Sequence, residues 1–516
     1  MGSIEHRKNR ILEFLKHKKI IILILILLLA FFIRLRYNSV NTAQWWDSAD
    51  YMMGAKEIAG TDLATYEFNP RRPFFLSLLW GVILWLGGND SALTFSVLIL
   101  SLITVFYTYL IGKELFNDEV GLIAAFLLGV FWEHLFFTAR LLTDIPSAAF
   151  LIMGFYHFIK GPLNDGARKH SILSGIFLGL AWFTRSASLV MLIPLFIMIF
   201  MKKKFSILKD KNSWITLGMI FVVMLPFFIF LISSSSDALK AYTGVGAGRF
   251  EGGGITGLWE NLKLIMRTLT PFYYWIFYIG LFFIADCFLG LDLIGKNKDK
   301  DLANKLYLFL WTIAPWIFFG LTFNRALEDR YFMAIYPTML IIAAYGLFRI
   351  KNYIEKFNKW AAIGFIVILL VIVSYPQVTM ADDVINSRSQ GFAEVAIGGY
   401  WIKENSNQND NVISASTLQN MYYSERNTYP FAENSSTRND PNAFLPYLEK
   451  INPRYVVISV YEQGFTPQWA YTFGNDHPEL LTPVQGYANP QQQPILVIYK
   501  YNNFKESTSL VVRPSS

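Results

Sequence analysis

The stretch RRPFFLSLLWGVILWLGG, Arg71 to Gly88, decides how the rest of the chain is read. Its apolar part, Pro73 to Leu86, spans only about 21 Å as a helix, short of the roughly 30 Å of a bilayer core. Trp80 and Trp85 suit the membrane interface. If the run crossed the membrane, four lysine- and arginine-rich loops would fall outside: Lys160 to Lys169, Lys202 to Lys211, Lys296 to Lys305 and Arg349 to Lys359. That breaks the positive-inside rule each time, whereas a run lying in the interface puts all four on the cytoplasmic side. We read it as a juxtamembrane helix.

The surrounding composition agrees. Of 516 residues, 53% are hydrophobic and 17% aromatic, and the 16% charged compares with roughly 25% in soluble domains. This excludes a disordered chain and a purely soluble enzyme. Eleven spans are expected, at about Ile20–Ile33, Ala92–Ile111, Val120–Phe137, Leu141–Ile159, Ile172–Phe183, Ala187–Met201, Trp214–Ile232, Pro271–Leu291, Leu306–Leu321, Tyr331–Phe348 and Trp360–Val373. The amino terminus then lies inside and the carboxyl terminus outside. The net charge of +7 sits in short loops, as an orientation signal rather than a nucleic-acid surface. One cysteine, Cys287, excludes an internal disulfide.

The expected fold class is mainly α, a polytopic bundle over residues 1–376 with a first outer loop at 38–90. A soluble extracytoplasmic α/β domain follows at 377–516. Within it the pattern predicts helices at 392–404 and 443–450 and strands at 412–415, 455–460 and 495–499.

Charged residues at a membrane edge are costly unless paired or solvated, so clusters of both signs are candidate sites. The first outer loop carries Asp47, Asp50, Glu67, Arg71 and Arg72. Asp47 follows Trp45 and Trp46, whose rings partly desolvate a carboxylate and push it toward a useful base; Asp50 also suits a wet helix face. Asp144, in RLLTDIPSAAF, either caps a helix with Thr143 or orients a substrate hydroxyl. Arg185, in LAWFTRSASLVMLIPL, either snorkels or joins the site. FNRALEDRYFMAIYP supplies Arg325, Glu328, Arg330 and Tyr331, and an arginine at a membrane edge suits a lipid phosphate. The glycine-rich stretch GVGAGRFEGGGITG, within the outer loop 233–270, lacks the context of a phosphate loop; the segment is expected to be a mobile cover. No metal-ligand cluster emerges, nor a Rossmann or nucleophile-elbow motif.

Taken in order, an Asp shortly after the first span, the basic-Pro element before the juxtamembrane helix, TDIP, LAWFTRSASLVMLIPL and EDRYFMAIYP resemble the GT-C glycosyltransferases. The resemblance is to the branch of dolichyl-phosphate-mannose protein mannosyltransferases and lipid A aminoarabinose transferases, over about residues 20–375. It implies an integral membrane enzyme moving one hexosyl or pentosyl group from a polyprenyl (dolichyl) phosphate carrier to a hydroxyl of a protein, glycan or lipid, on the outer face and with inversion. Carried over, Asp47 is the general base, Arg71, Arg72 and Arg330 bind phosphate, and Glu67, Asp144, Glu328 and Tyr331 position substrate. No cofactor is certain; a divalent cation is left open. Partners are the lipid-linked donor, the acceptor and membrane lipids, without nucleic acid. The chain departs from the family in having Ser48 after Asp47, where Asp-Glu is common, and Arg72-Pro73-Phe74 where Lys-Pro-Pro or His-Pro-Pro is common. The rival readings are a transporter or flippase, an oligosaccharyltransferase, and a non-catalytic anchor.

Overall fold

The structure, a computed structural model, describes residues 2–506 apart from 62, 64, 71, 235–251, 290–301, 324–326, 435, 463 and 490; of residues 2–17 it describes only the backbone. The helices up to the end of the bundle are α1 (Gly2–Arg36), α2 (Trp46–Ile58), α3 (Phe75–Trp85), α4 (Asp90–Leu115), α5 (Asp118–Gly129), α6 (Trp132–Thr138), α7 (Asp144–Phe158), α8 (Arg168–Thr184), α9 (Leu192–Lys203), α10 (Lys211–Ser234), α11 (Gly254–Thr268), α12 (Tyr273–Leu289), α13 (Leu302–Thr322), α14 (Tyr336–Glu355) and α15 (Lys359–Arg388). Two compact units form: Met1–Val40, Asn69–Phe75 and Asp90–Asn386 make the first, and Asn41–Phe68, Leu76–Asn89 and Ser387–Ser516 the second.

The first unit is the helical bundle of an integral membrane protein. Five described segments are long and apolar enough to cross a membrane: Asp90–Leu115, Ser186–Lys209, Lys211–Ser234, Leu302–Thr322 and Lys359–Arg388. Counting each of two bent pairs as one span brings this to seven. The expected eleven also counted shorter helices such as α7 and α8, and length with apolarity alone does not reach that number.

The bends are where the bundle departs from simple rods. The single span expected at Val120–Phe137 is broken into α5 and α6, inclined at 58°. Part of the expected mobile loop 233–270 is instead the regular helix α11, which meets α12 at 115°; its glycine-rich stretch lies mostly outside the described residues. The reason α11 escaped notice is its mixed composition, with Glu260, Lys263 and Arg267 on one side and buried Leu264 and Ile265 on the other.

A broken helix frees backbone groups that lipid cannot satisfy. Here side chains meet them. The buried Arg34, at the end of α1, donates to the Gly129 carbonyl (2.7 Å), Ser101 Oγ (2.6 Å) and the Ala30 carbonyl (3.0 Å), and lies 2.9 Å from His134 Nδ1. The buried Gln377 of α15 serves both bends: its Oε1 accepts from the Trp132 amide (3.3 Å), and its Nε2 donates to the carbonyls of Thr270 (3.2 Å) and Pro271 (2.8 Å). The indole of Trp132 donates to the Thr268 carbonyl (2.8 Å) and the Tyr273 hydroxyl to the Leu127 carbonyl (2.9 Å), so one bend is tied to the other.

In the second unit, the short apolar run forms α3, eleven residues and so about 16 Å long. Leu76, Ser77, Trp80 and Gly81 are buried, whereas Leu78, Val82, Trp85 and Leu86 form an exposed apolar face at helical spacing. Gly81 permits the packing, since a Cβ there would meet the Ile58 side chain of α2 at 2.6 Å.

The remainder is an α/β module. It comprises α16 (Ala393–Glu404), β1 (Asn411–Ser414), α17 (Thr417–Ser424), β2 (Thr428–Tyr429), α18 (Pro441–Ile451), β3 (Pro453–Ser459), α19 (Ala470–Asp476), β4 (Leu481–Ala488) and β5 (Pro494–Tyr501). The sheet order is β2-β1-β3-β5-β4; β1 runs parallel to β2 and β3, and β5 antiparallel to β3 and β4. Strand alternation sends Ile413, Val456 and Ile458 to a core shared with Phe444 and Phe473, and Val412, Val457 and Ile498 to another with Val395 and Ile402. The expected helices and three expected strands are present; α17, β2, α19 and β4 were not anticipated.

Replacing Gln377 with Leu keeps the volume and removes partners of three backbone groups. Thermal unfolding in detergent should then show a loss of about 3 kcal/mol or more, larger than for Thr379→Val at a half-buried position of α15; equal losses would show that the bends hold without the amide.

Candidate active site

The first unit contains a narrow cleft at the amino-terminal end of α7. Three breaks in the bundle supply it: the start of α7 gives Asp144 and Ser147, the junction of α8 and α9 gives Arg185 and Ser188, and the turn before α14 gives Arg330 and Tyr331. Chain geometry explains why these side chains reach it. Helix α8 ends at Thr184, Arg185 is extended (φ −152°, ψ 121°), and a 3-10 segment, Ser186–Met191, leads into α9. Asp329–Phe332 is a second 3-10 segment, which turns the chain before Tyr336.

The charges in the cleft are arranged in opposite pairs. Asp144 is buried, and its Oδ1 pairs with Arg185 Nη1. The Arg185 guanidinium carbon also lies 4.7 Å from the Tyr331 ring centroid, a cation–π contact that holds its plane. Arg330 Nε stands 2.6 Å from Glu328 Oε2, whose side chain is largely exposed. Ser147 and Ser188 share a hydroxyl hydrogen bond of 2.6 Å. Thr143 occupies the N-cap of α7 without a side-chain cap, and Asp144 is engaged by arginine, so the capping reading of this motif is not met.

The second unit carries Asp47 in the first turn of α2, where the helix's exposed amides favour a negative charge. Asp50 follows one turn later and is buried. The C-terminal module grips this helix along its length. The Tyr423 hydroxyl accepts from the Gln44 amide (2.7 Å) and Gln419 Nε2 donates to the Gln44 carbonyl (2.6 Å). Trp46 stacks on Phe465 with centroids 5.5 Å apart. At the far end Lys56 donates to Glu425 (2.9 Å) and to the Tyr422 carbonyl (2.8 Å). Burial pushes the Glu425 carboxyl up, but hydrogen bonds from Lys403 and Lys56 outweigh it and hold the group below its ordinary range. Glu67 is exposed in the segment after α2, beside Tyr66, whose hydroxyl donates to the Asp50 carbonyl (3.2 Å).

Of the residues expected from sequence, Asp144, Arg330 and Tyr331 come together in one cleft, with Glu328 paired to Arg330. Asp47 and Glu67 belong to the second unit, and Arg72 to the Asn69–Phe75 segment of the first. Arg71 and Arg325 lie outside the described residues. For Arg185 the sequence allows snorkelling or function; its side chain is mostly buried in the cleft. The available signal was its expected position at the same membrane edge as Asp144. Among the described residues no three His, Cys, Asp or Glu are grouped so as to hold a metal ion.

A helical membrane bundle with a short apolar helix, α3, between its first two long helices and a C-terminal α/β module has the fold of the GT-C glycosyltransferases. Residues 70–230 match the family model described as dolichyl-phosphate-mannose-protein mannosyltransferase. Among solved structures, the chain is similar to ArnT from Cupriavidus metallidurans bound to undecaprenyl phosphate, with TM-score 0.67, 12% identity, and coverage of 92% of this chain and 97% of that one. It is also similar to the oligosaccharyltransferase AglB from Archaeoglobus fulgidus in complex with an inhibitory peptide and a dolichol-phosphate: TM-score 0.61, 14% identity, 96% and 75% coverage. The mycobacterial arabinofuranosyltransferase AftD follows with TM-score 0.55 and 11% identity, over 94% of this chain and 41% of that one. No curated protein matches by sequence. The likeness is therefore one of fold, as the sequence resemblance implied.

The Asp144–Arg185 pair can be tested by a double-mutant cycle in thermal unfolding. The double variant Asp144→Asn/Arg185→Gln should cost less than the sum of the two single variants, leaving a coupling of about 1–3 kcal/mol. A coupling near zero would remove the pair from the account of how the cleft is held.

Proposed function

We propose that the chain is a membrane glycosyltransferase that moves a single hexosyl or pentosyl group from a polyprenyl phosphate carrier to an acceptor hydroxyl on a protein, glycan or lipid. The observation that carries the reading is the cleft in which Arg185 and Arg330 stand beside Asp144 and Tyr331, in a GT-C fold. The lipid phosphates named with the solved ArnT and AglB structures support a carrier of that class.

The chemistry sets what each group must do. The acceptor oxygen attacks the anomeric carbon, and the bond from that carbon to the phosphate oxygen breaks. Inversion follows from a single displacement. The phosphate begins as a diester with one negative charge and departs as a monoester with two, so one charge must be stabilised as it forms. Arg330, ion-paired with Glu328, carries the planar guanidinium that suits phosphate oxygens. Arg72, and Arg71 beside it in sequence, add cationic charge for the same phosphate. Asp47 takes the proton of the acceptor hydroxyl as the new bond forms. Asp144, Glu67, Glu328 and Tyr331 orient sugar or acceptor hydroxyls. In this reading the site and the C-terminal module of residues 377–516 face away from the cytoplasm, the amino terminus lies inside, and α3 rests in the interface on its apolar face.

Purified protein incubated with polyprenyl-phosphate mannose, glucose or arabinose, together with a membrane extract that supplies protein, glycan and lipid hydroxyls as acceptors, should release the lipid phosphate with one of these donors. Asp47→Asn should lower turnover by about 100- to 10,000-fold, and Arg330→Gln by about 100- to 1,000-fold. Full turnover by the Asp47 variant would remove the base assignment, and no release from any lipid-linked sugar would remove the proposed reaction.

A further inference from the structure

At the other end of α7, about 21 Å from Asp144 along the helix, the first unit opens a second and different cavity. It is an apolar groove of about 270 Å³. Phe158 and Leu178 form part of its wall with Leu195 and Ile199, while Ile207 and Leu217 stand at its lysine-rich side. It shares no lining residue with the cleft of Asp144 and Arg330. A π-helical turn, Ile159–Leu163, ends α7 here and includes Pro162, which also lines the groove. Such turns mark places where helix regularity gives way to a local requirement.

The rim has the opposite character. Between 202 and 211 the chain carries Lys202, Lys203, Lys204, Lys209 and Lys211. Lys203 is bracketed by Asp165 (2.6 Å) and Asp210 (2.8 Å), and Lys202 donates to the Asn164 amide oxygen. No carboxylate pairs with Lys204, Lys209 or Lys211 among the described residues, and all three are exposed. Lys204 is held at φ 49°, in the left-handed region a lysine seldom adopts, and so turns the chain from α9 into the 3-10 segment Lys204–Lys209. That segment presents Phe205 and Leu208 to the exterior, 77% and 65% exposed. Trp214 is also exposed, its indole donating to the Leu208 carbonyl (2.9 Å). Aromatic and apolar side chains beside lysines define headgroup depth.

We infer that this groove and its lysine rim form a binding site for an anionic diacyl phospholipid of the adjoining leaflet. Its acyl chains fill the apolar groove and its headgroup phosphate meets Lys204, Lys209 and Lys211. The charge complementarity selects the occupant. Ammonium groups are compact point charges that attract an anionic headgroup without demanding a fixed geometry, whereas the guanidinium forks that would clamp a reacting phosphate are in the other cleft. A zwitterionic lipid would bring its own cation to the lysines and gain little.

The test uses the full chain in neutral detergent, with the melting temperature followed during titration. Phosphatidylglycerol should raise it saturably, as a ligand of the folded state must. Phosphatidylcholine with the same chains and inorganic phosphate should not. Lys204→Gln/Lys209→Gln/Lys211→Gln alters only exposed side chains and should weaken the apparent affinity on the order of 100-fold. Leu217→Trp, at a half-exposed wall position, should block the groove with the lysines intact. Equal effects of the two phospholipids, an unweakened triple variant, or displacement of phosphatidylglycerol by lower concentrations of polyprenyl phosphate would each overturn the assignment, the last in favour of a second donor site.

Discussion

Backbone amides and carbonyls freed inside an apolar medium must find protein partners, and this bundle depends on how that constraint is met at its two bends. Unbroken rods would satisfy themselves but would keep α6 and the approach to α7 in line with α5. The 58° break turns that segment aside, and Arg34 and Gln377 take up the groups it releases. Because Gln377 also holds the carbonyls of Thr270 and Pro271, the second bend is fixed by the same side chain. The amino-terminal end of α7 is thereby presented from a set of mutually bonded breaks.

That end carries charge in compensated form. A buried Asp144 without a cation would be expensive, and Arg185 supplies one while Tyr331 holds the guanidinium plane. The pairing keeps the cleft polar without leaving a large net field. Arg330 is placed differently, because its partner Glu328 is exposed and solvated, which weakens the hold of that carboxylate on the guanidinium.

Much of the architecture was legible because hydropathy and loop charge are written residue by residue. The short run at Pro73–Leu86 is indeed α3, and the change in composition after Val373 does herald an α/β module. What escaped the sequence was whatever depends on three-dimensional partnership. Nothing in the local sequence sets Arg34 apart from any other basic residue at the end of an apolar run, yet its guanidinium is buried against Gly129 and Ser101, residues distant in sequence. Helix α11 is amphipathic, its buried residues recurring at helical spacing, and so lacks the uniform apolarity by which a span is read. Strand β2 is two residues long and is defined by pairing with β1, not by its own composition. Arg185 had the right place along the chain, but only its contact with Asp144 separates a site residue from one reaching for headgroups.

The C-terminal module also has a role that an appended domain would not have. Both backbone groups of Gln44 are bonded by α17, Trp46 is stacked on Phe465, and Lys56 is anchored by Glu425. These contacts bracket α2 at both ends, so the direction of Asp47 is set by residues nearly four hundred positions later in the chain. A general base contributes only while its carboxylate keeps its geometry toward the proton it accepts. If Asp47 is the base, acceptor contacts made by the module would act on a helix already clamped to it, and acceptor choice and base placement would be carried by one compact unit. That coupling distinguishes the arrangement from an anchor that merely displays a soluble domain.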